Sequence, residues 1–298
     1  MDAQLLTYYL KEDDCWGLDS PALATKIEAS IEQGYIPRAI VVINPGNPTG
    51  QVMKRKDLED IVKLCHKYSI AILSDEVYQE NIYTESKKFI SMRKVLHDLG
   101  EPYSNSVELV SFSSVSKGLM GECGLRGGYF EIHNMTKRAE DIFYKLKSIE
   151  LCSNTVGQMA VELMVNPPKR GRESNECVEL YESERLAVLN GLKDRAKLLT
   201  KSFNSMTNIT CTEIEGAMYG FPRLHFSKKF IDESLAEGKQ PDFKYCMDLV
   251  NSTGIMTVPG SGFQQEPGTY HFRITNLVTP TSRMGEVLDK LRVFNEDW

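Results

Sequence analysis

Runs of apolar residues in the first half of the chain have the pattern of buried β-strands. The run at 38–43, "RAIVVI", is almost entirely apolar and β-branched, which is typical of a strand covered on both faces of a parallel sheet. Further strands are predicted at 70–73, 107–112 and 127–132. Between the first two, apolar residues recur at helical spacing with charged residues among them, so the sequence predicts an amphipathic helix over 54–68.

Strand, helix and strand in this order make a right-handed crossover, which places the ends of both strands at one edge of a parallel sheet. Polar residues directly follow each of the first three strands: Asn44 and Asn47, then Asp75, then Ser114 and Lys117. Ligands of open α/β sheets bind outside the carboxyl ends of the strands. We therefore expect a functional site at this edge.

The pattern changes after residue 150, where helices and short strands follow in irregular order. This order favours a smaller α+β domain. Helices are predicted near 153–165, 174–206, 241–253 and 280–296, and strands at 209–214, 217–223, 255–258 and 270–275. We expect an α/β protein with a large domain, residues 1–150, built on a mostly parallel sheet between helices, and a small domain, residues 151–298.

Composition and charge exclude several classes of function. The chain has 298 residues, 41% hydrophobic and 26% charged, which is ordinary for a globular protein. A net charge of −6 with scattered basic residues argues against nucleic acid and membrane surfaces as partners. Seven widely spaced cysteines favour reduced thiols over disulfides or a metal site. Without a membrane span or a targeting pattern, we expect a cytoplasmic protein, and a mitochondrial location stays open for a longer form.

One stretch, "SFSSVSKGLMGECGLRGGYF" at 111–130, places Lys117 among small hydroxyl and glycine residues. A lysine attacks carbonyl groups when its amine can lose its proton, and small neighbours leave room for a bulky partner. An ordinary surface lysine after a strand is the simpler interpretation of Lys117 alone. The S-x-x-K motif of serine acyl-transfer enzymes also matches residues 114–117, but the S-D-N and K-T-G partners of that motif are absent from the sequence.

Four other side chains each allow an ordinary and a functional interpretation. Asp75 suits a helix N-cap or a partner for a protonated ring nitrogen, and Tyr78 lies on the same face if a helical turn begins there. Arg126 suits a structural bond or a phosphate, for which its planar fork is adapted. Arg273 alternates with two apolar residues, so it projects away from the core toward a salt-bridge partner or a substrate carboxylate.

Pyridoxal phosphate chemistry explains this set of residues jointly. A lysine forms an imine with the aldehyde, and an aspartate holds the pyridinium that acts as the electron sink. Tyrosine and asparagine bond the ring oxygen, and arginine holds the phosphate. The sequence therefore indicates a pyridoxal 5'-phosphate site.

Three motifs carry a resemblance to a known family. "NPGNPTG", "SDEVYQ" and "SKGLMGECGLRGGYF", in this order and at these separations, resemble the fold-type I pyridoxal-phosphate aminotransferases. "MGECG", "EGAMYGFPR", "VPGSGF" and "GTYHFRIT" closely resemble the alanine aminotransferases within that family. The resemblance runs along essentially the whole chain. It implies a homodimer in the full-length family and amino-acid and 2-oxo-acid substrates.

The resemblance also implies roles for individual residues. Lys117 is implied as the Schiff-base lysine and the proton carrier between the substrate α-carbon and the cofactor. The implied reaction converts L-alanine and 2-oxoglutarate to pyruvate and L-glutamate. The remaining residues are implied to bind the cofactor or the substrate: Asp75 the pyridine nitrogen, Tyr78 and Asn47 the ring oxygen, Ser114 and Arg126 the phosphate, and Arg273 the α-carboxylate.

Members of this family carry a long segment before the equivalent of "YYLKEDDCWGLD", which starts at residue 8 here. That segment supplies sheet strands, backbone amides around the phosphate, a ring stacked on the cofactor and part of the dimer contact. We therefore expect a truncated chain with little activity alone, and an incomplete large domain. The alternatives are a fragment that acts only with a full-length subunit, and another pyridoxal-phosphate aminotransferase or lyase.

Overall fold

The computed structural model describes residues 3–298. Its strands are β1 Leu10–Lys11, β2 Gly17–Leu18, β3 Ala39–Ile43, β4 Ala71–Asp75, β5 Leu109–Ser114, β6 Gly128–His133, β7 Ile209–Thr210, β8 Tyr219–Gly220, β9 Arg223–Leu224, β10 Val258–Pro259 and β11 Phe272–Thr275. Its helices are α1 Ser20–Glu32, α2 Arg55–Tyr68, α3 Met92–Leu99, α4 Tyr103–Ser106, α5 Lys137–Ile149, α6 Thr155–Val165, α7 Asn175–Phe203, α8 Lys228–Ala236, α9 Pro241–Thr253 and α10 Thr281–Asp297.

The described residues group into two compact units. The sheet unit comprises Asp19–Pro45 and Val52–Leu189, and the terminal unit comprises the described residues through Leu18, Gly46–Gln51 and Asn190–Trp298. These units are sets of residues that lie close together in space. The division into domains between residues 150 and 151 stays a prediction.

The sheet unit is built on four strands in the order β3-β4-β5-β6. The first three are parallel and β6 runs antiparallel to β5, so the mostly parallel sheet predicted from the sequence is confirmed. The predicted strand–helix–strand connection is confirmed as well, since α2 connects parallel β3 and β4 and buries Leu58, Ile61, Val62 and Cys65 on one face. The right hand of the crossover stays a prediction.

The terminal unit contains a three-stranded sheet in the order β10-β11-β8 and two smaller strand pairs, β1-β2 and β7-β9. Its core is rich in aromatic rings: Tyr245 is fully buried and contacts Phe272, Phe294 and Trp298 with ring centroids 4.9–5.9 Å away. The predicted strands at 209–214 and 217–223 are shorter in the structure, because only two residues of β7, β8 and β9 pair with a neighbouring strand.

Candidate active site

Asp75, Ser114 and Lys117 come from the carboxyl ends of two neighbouring parallel strands. Asp75 is the last residue of β4 and Ser114 the last residue of β5, and Asp75 lies in register with Phe112. Lys117 follows in the turn after β5. The parallel register therefore brings these three residues to the same edge of the sheet, as the sequence predicts.

Asp75 does not cap a helix. Residues 77–80 form turns, and the Asp75 Oδ1 atom accepts a hydrogen bond from the Val77 N–H at 3.2 Å. This bond across two residues is the usual contact of an aspartate that begins a turn. The side chain is half-buried, and within residues 3–298 no other hydrogen bond to its carboxylate is seen. The second carboxylate oxygen is therefore able to accept a bond from a ligand.

Tyr78 lies in these turns rather than in a helical turn. Its carbonyl accepts a hydrogen bond from the Asn81 N–H at 2.8 Å, and the residue is only 3% exposed. The geometry that would place Tyr78 on one helical face with Asp75 is therefore not formed. Its role at the ring oxygen stays a prediction.

The turn that carries Lys117 lies directly on the turn after Asp75. Gly118 has φ +65°, and a Cβ atom there would lie 2.7 Å from the Val77 carbonyl oxygen, so only glycine fits this close approach. The Lys117 side chain is exposed, and among the described residues its amine has no hydrogen-bond or ion-pair partner. The amine is therefore accessible for chemistry with a ligand.

Arg126 keeps its charge available for an anion. Its Nη1 atom donates to the Ser116 hydroxyl at 3.2 Å and to the Cys123 carbonyl at 2.8 Å, both neutral acceptors. No carboxylate of the part of the chain that the structure describes pairs with this guanidinium. The Ser114 hydroxyl accepts a bond from the Ser116 N–H at 3.2 Å and keeps its own hydrogen free to donate. Both side chains suit a phosphate group.

Asn154 and Gly157, which the sequence did not single out, hold the backbone of Arg126. The Asn154 side chain caps α6 by accepting from the Gly157 N–H at 2.6 Å, and its amide nitrogen donates to the Arg126 carbonyl at 3.0 Å. A Cβ atom at Gly157 would lie 2.7 Å from that carbonyl oxygen. An asparagine before an apolar run signals a helix cap, but the sequence carries no signal for its bond to Arg126.

Glu76 is a buried carboxylate beside Asp75, with 7% of its surface exposed. Its Oε1 atom accepts bonds from the Met92 N–H at 2.8 Å and the Ser74 hydroxyl at 3.0 Å. Burial raises the pKa of Glu76, and the nearby charges of Asp75 and Glu131 add to this effect against the two hydrogen bonds. The side chain thereby ties the end of β4 to the first residue of α3.

Asn47 and Arg273 bond to each other in the terminal unit. The Arg273 Nη1 atom donates to the Asn47 Oδ1 atom at 3.0 Å, which leaves the Asn47 amide nitrogen as a donor. The guanidinium carbon lies 4.5 Å from the Tyr219 ring centroid and 5.0 Å from that of Phe263. As predicted, Arg273 alternates along β11 with buried Phe272 and Ile274. The two flanking rings were not predictable from spacing, since they lie on other elements.

The loop that carries Asn47 is anchored to residues 215–219. The Gly50 carbonyl accepts bonds from the Glu215 N–H at 3.0 Å and the Gly216 N–H at 2.8 Å. Gly50 has φ +71°, and a Cβ atom there would lie 2.6 Å from the Tyr219 carbonyl oxygen. A side chain at residue 50 would therefore displace the loop and Asn47 with it.

Residues 3–298 contain neither a metal-binding cluster nor a membrane-spanning helix. No group of three or more His, Cys, Asp or Glu side chains there is arranged to hold a metal ion. No helix in the same range has the length and apolar character needed to cross a bilayer.

Comparisons with known proteins agree on one family. A family model described as "Aminotransferase class I and II" matches residues 1–291. Over 273 residues the chain is 48% identical to the "Probable alanine aminotransferase, mitochondrial" of Dictyostelium discoideum. This match covers 91% of this chain and 50% of that protein. Over 294 residues it is 44% identical to "Glutamate--glyoxylate aminotransferase 1" of Arabidopsis thaliana. This second match covers 99% of this chain and 60% of that protein.

Solved structures support the predicted fold class. An alanine aminotransferase from Pyrococcus furiosus matches with a TM-score of 0.76 and 26% identity, over 97% of this chain and 64% of that one. An aminotransferase from Escherichia coli matches with a TM-score of 0.75 and 21% identity, which shows the fold alone. The α/β fold of this family is thereby confirmed. The chain spans about half the length of the first curated relative and about two thirds of these solved chains.

Proposed function

Because this chain belongs to the class I and II aminotransferases, we propose that it carries the lysine, ring-nitrogen and phosphate-binding residues of a pyridoxal-phosphate site. The proposed reaction exchanges the amino group of L-alanine with 2-oxoglutarate. It is supported by relatives named alanine aminotransferase, 43–48% identical to this chain. The observation that carries the proposal is the meeting of Asp75, Ser114 and Lys117 at one sheet edge.

The side chains of the sheet unit fit pyridoxal phosphate by their chemistry. Lys117 presents an exposed amine, and Asp75 presents a carboxylate oxygen for a protonated ring nitrogen. Arg126 and Ser114 offer a cation and a hydroxyl donor for a phosphate. Tyr78 is proposed to contact the ring oxygen. These five residues would hold the cofactor from the side of the sheet.

Each of these residues has one proposed task in the reaction. When bound, pyridoxal phosphate supplies an aldehyde for amines and a ring that withdraws electrons from the substrate α-carbon. Lys117 in its neutral form takes the proton from that α-carbon and returns it. The Asp75 carboxylate would accept a hydrogen bond from the ring nitrogen, which favours the protonated form of that nitrogen. Arg126 and Ser114 fix the phosphate and hence the position of the ring.

The terminal unit is proposed to bind the substrate carboxylate. Arg273 presents a planar fork that matches a carboxylate with two parallel hydrogen bonds. Asn47 and the rings of Tyr219 and Phe263 hold this fork in one orientation. The Asn47 amide nitrogen is proposed as a donor to the ring oxygen of the cofactor.

Glyoxylate is a second candidate, beside pyruvate, for the small 2-oxo acid that accepts the amino group of L-glutamate. Two relatives from Arabidopsis thaliana, 44% and 43% identical to this chain, are named glutamate--glyoxylate aminotransferases. Glyoxylate and pyruvate are both small 2-oxo acids, so the same carboxylate site serves either. Turnover of L-glutamate with each acceptor separately decides between them.

Covalent trapping tests the proposal directly. The chain is incubated with pyridoxal phosphate, reduced with borohydride and mapped by peptide mass. We expect label at Lys117, no label there in Lys117→Ala, and unchanged Lys117 label in Lys63→Ala, which removes an exposed lysine of α2. Label spread evenly over exposed lysines would contradict the site and favour a fragment that acts only with a full-length subunit.

Turnover provides the second test. With L-alanine and 2-oxoglutarate, Lys117→Ala is expected to lower pyruvate formation by roughly 10²–10⁴-fold, the usual contribution of a positioned acid–base group. Lys63→Ala is expected to retain the parent rate. Parent-rate turnover in Lys117→Ala would refute the assignment of Lys117.

A further inference from the structure

A buried histidine lies two residues before Arg273 in the motif "GTYHFRIT", and the proposed reaction gives it no task. His271 is 1% exposed. Its ring is stacked on Phe221, with centroids 4.6 Å apart and planes 4° apart, and it meets the Trp16 ring edge-on at 5.5 Å. Both of its nitrogens have hydrogen-bond partners, and these partners define how many hydrogens the ring carries.

The Nδ1 atom of His271 faces an acceptor. It lies 2.8 Å from the Gln265 Oε1 atom, while the Gln265 amide nitrogen donates to the Asp242 Oδ2 atom at 2.9 Å. Asp242 is fully buried, and its Oδ2 atom also accepts from the Ser261 N–H at 2.5 Å. Since both bonds to this oxygen come from N–H donors, it acts as an acceptor and fixes the orientation of the Gln265 amide. The Nδ1 atom must therefore carry a hydrogen.

The Nε2 atom of His271 faces an acceptor as well. It lies 3.1 Å from the Glu12 Oε2 atom, and the same oxygen accepts from the Arg223 Nη1 atom at 3.2 Å. The bond from Arg223 marks this oxygen as an acceptor. Both ring nitrogens of His271 therefore face an oxygen acceptor, and a ring with a hydrogen on each nitrogen satisfies this arrangement.

Charged side chains of both signs surround the His271 ring. Glu12 and Asp242 are carboxylates and Arg223 is a cation, and Arg273 lies two residues along the chain on the same face of the strand. The face of Phe221 adds attraction for a stacked cation. Two nearby groups stay neutral: burial raises the pKa of the Cys211 thiol to about 12, with a further contribution from Glu12, and burial raises the pKa of the Tyr270 phenol.

His271 also holds both ends of the loop that carries Phe263. Its carbonyl accepts from the Gly260 N–H at 2.7 Å, and its Nδ1 atom bonds Gln265 five residues later. Between these points, Phe263 packs edge-on against Phe221 at 5.7 Å and lies 5.0 Å from the Arg273 guanidinium carbon. The loop that carries Phe263, one of the two rings beside Arg273, is therefore bonded to His271 at both of its ends.

We propose that His271 is a positioning residue of the carboxylate site. As an imidazolium bonded to Glu12 and Gln265, it fixes the loop 260–265 so that Phe263 orients Arg273 for a substrate carboxylate. The orientation of Arg273 toward a carboxylate rests on the proposed function. The protonation of the ring and its hold on the loop do not.

Nitrogen NMR of the histidine rings tests the protonation. At pH 7.5 an unperturbed histidine, with a pKa of about 6.5, is about nine-tenths neutral. We expect one ring in the 298-residue chain to show two protonated nitrogens at this pH, and this signal to be absent from His271→Asn. In Glu12→Gln, whose amide can donate to Nε2, we expect His271 to become neutral with the hydrogen on Nδ1. A neutral His271 ring in the parent chain at pH 7.5 would overturn the proposal.

Amide hydrogen exchange tests the hold on the loop. Glu12→Gln is expected to speed exchange of the amides in 260–265 by roughly tenfold, because the Nδ1 bond to Gln265 changes from a charge-assisted bond of a cationic ring to a weaker bond of a neutral ring. Thr212→Val is the matched control: it removes the 2.9 Å bond from the Trp16 indole and leaves Glu12 on His271. Equal exchange in Glu12→Gln and Thr212→Val would overturn the positioning role.

Steady-state kinetics test whether the loop affects binding of the substrate carboxylate. In the active protein, Glu12→Gln is expected to raise the KM for L-glutamate by roughly tenfold while kcat changes less, and Thr212→Val to change neither. An unchanged KM in Glu12→Gln would overturn the link to Arg273. Failure of the proposed function is recognised separately, since trapping at Lys117 then fails while the NMR signal and the loop exchange persist.

Discussion

The proposed site residues of the two units differ in how their hydrogen-bonding capacity is used. In the sheet unit, the Lys117 amine has no partner among the described residues, and Arg126 bonds only neutral oxygens. In the terminal unit, Arg273 is bonded to Asn47 and flanked by two rings. The sheet unit thus presents charged side chains without counter-ions among the described residues, whereas the terminal unit presents an arginine that is already held in one orientation.

This difference suits the two ligands that we propose for them. A cofactor with a phosphate and a ring nitrogen brings its own charges, so Arg126 and Asp75 need no internal counter-ion. A small substrate offers few contacts, and its carboxylate therefore benefits from an arginine whose orientation is fixed beforehand. Changes in the sheet unit should consequently alter chemistry, and changes in the terminal unit should alter substrate affinity.

The largest effect is expected at Asp75. Asp75→Asn keeps an oxygen for the Val77 N–H and removes only the negative charge. We expect kcat for transamination to fall by roughly 10²–10³-fold, as for the loss of one group that stabilises developing charge. Steady-state kinetics check this, with Asp141→Asn on the exposed face of α5 as the control. A fall in substrate affinity at unchanged kcat would reverse the comparison between the units.

A smaller effect, on affinity, is expected at Arg273. Arg273→Lys keeps the charge and loses the planar fork. Hydrogen bonds to charged groups contribute about 1.5–3 kcal/mol, so the KM for L-alanine and L-glutamate is expected to rise roughly ten- to hundredfold with a modest change in kcat. Arg283→Lys, an exposed arginine of α10, serves as the control. If kcat alone falls, Arg273 does not act as a substrate-binding residue.

The smallest effect concerns stability and depends on pH. The pKa of buried Glu76 is raised above its ordinary value of 4.5, so the folded chain holds this proton more tightly than the unfolded chain. Stability is then lost as pH rises from about 4.5 through the raised pKa. Glu76→Gln does not titrate and keeps an acceptor for the Met92 N–H. Its unfolding free energy relative to the parent should therefore increase over this interval.

Urea denaturation between pH 4.5 and 7.5 measures this difference. A difference that stays constant across the interval, or that decreases with rising pH, would contradict the raised pKa of Glu76. The measurement also separates Glu76 from Asp75, because an effect on stability is expected here without an effect on the proposed ring-nitrogen contact.

The central sheet was predictable because its pattern is strong and local. The β-branched run before Asn44 and the apolar face of α2 gave element bounds within about two residues of the structure. The start of α1 also carries a local signal, since the Asp19 side chain accepts from the Ala22 N–H and Pro21 stands in the first turn. That helix was nevertheless not predicted, and neither were α3, α4, α5 and α8.

The supporting contacts of the site were not predictable, because they join residues that are distant in sequence. The Asn47–Arg273 bond spans 226 positions and the Glu12–His271 bond spans 259. Periodicity reports which face of an element is buried, not which distant element packs against it. The proposed site residues follow strands and motifs, whereas the residues that contact them are defined only by the folded chain.

The bond from Asn154 to the Arg126 carbonyl has a consequence for protein engineering. A designer who transplants the lysine segment 111–130 into another scaffold would move the proposed catalytic lysine without Asn154, which bonds the backbone of Arg126 near the end of that segment. The smallest segment to transplant runs from β5 through the first turn of α6, residues 109–157, and deletions within α5 must preserve the distance between its ends.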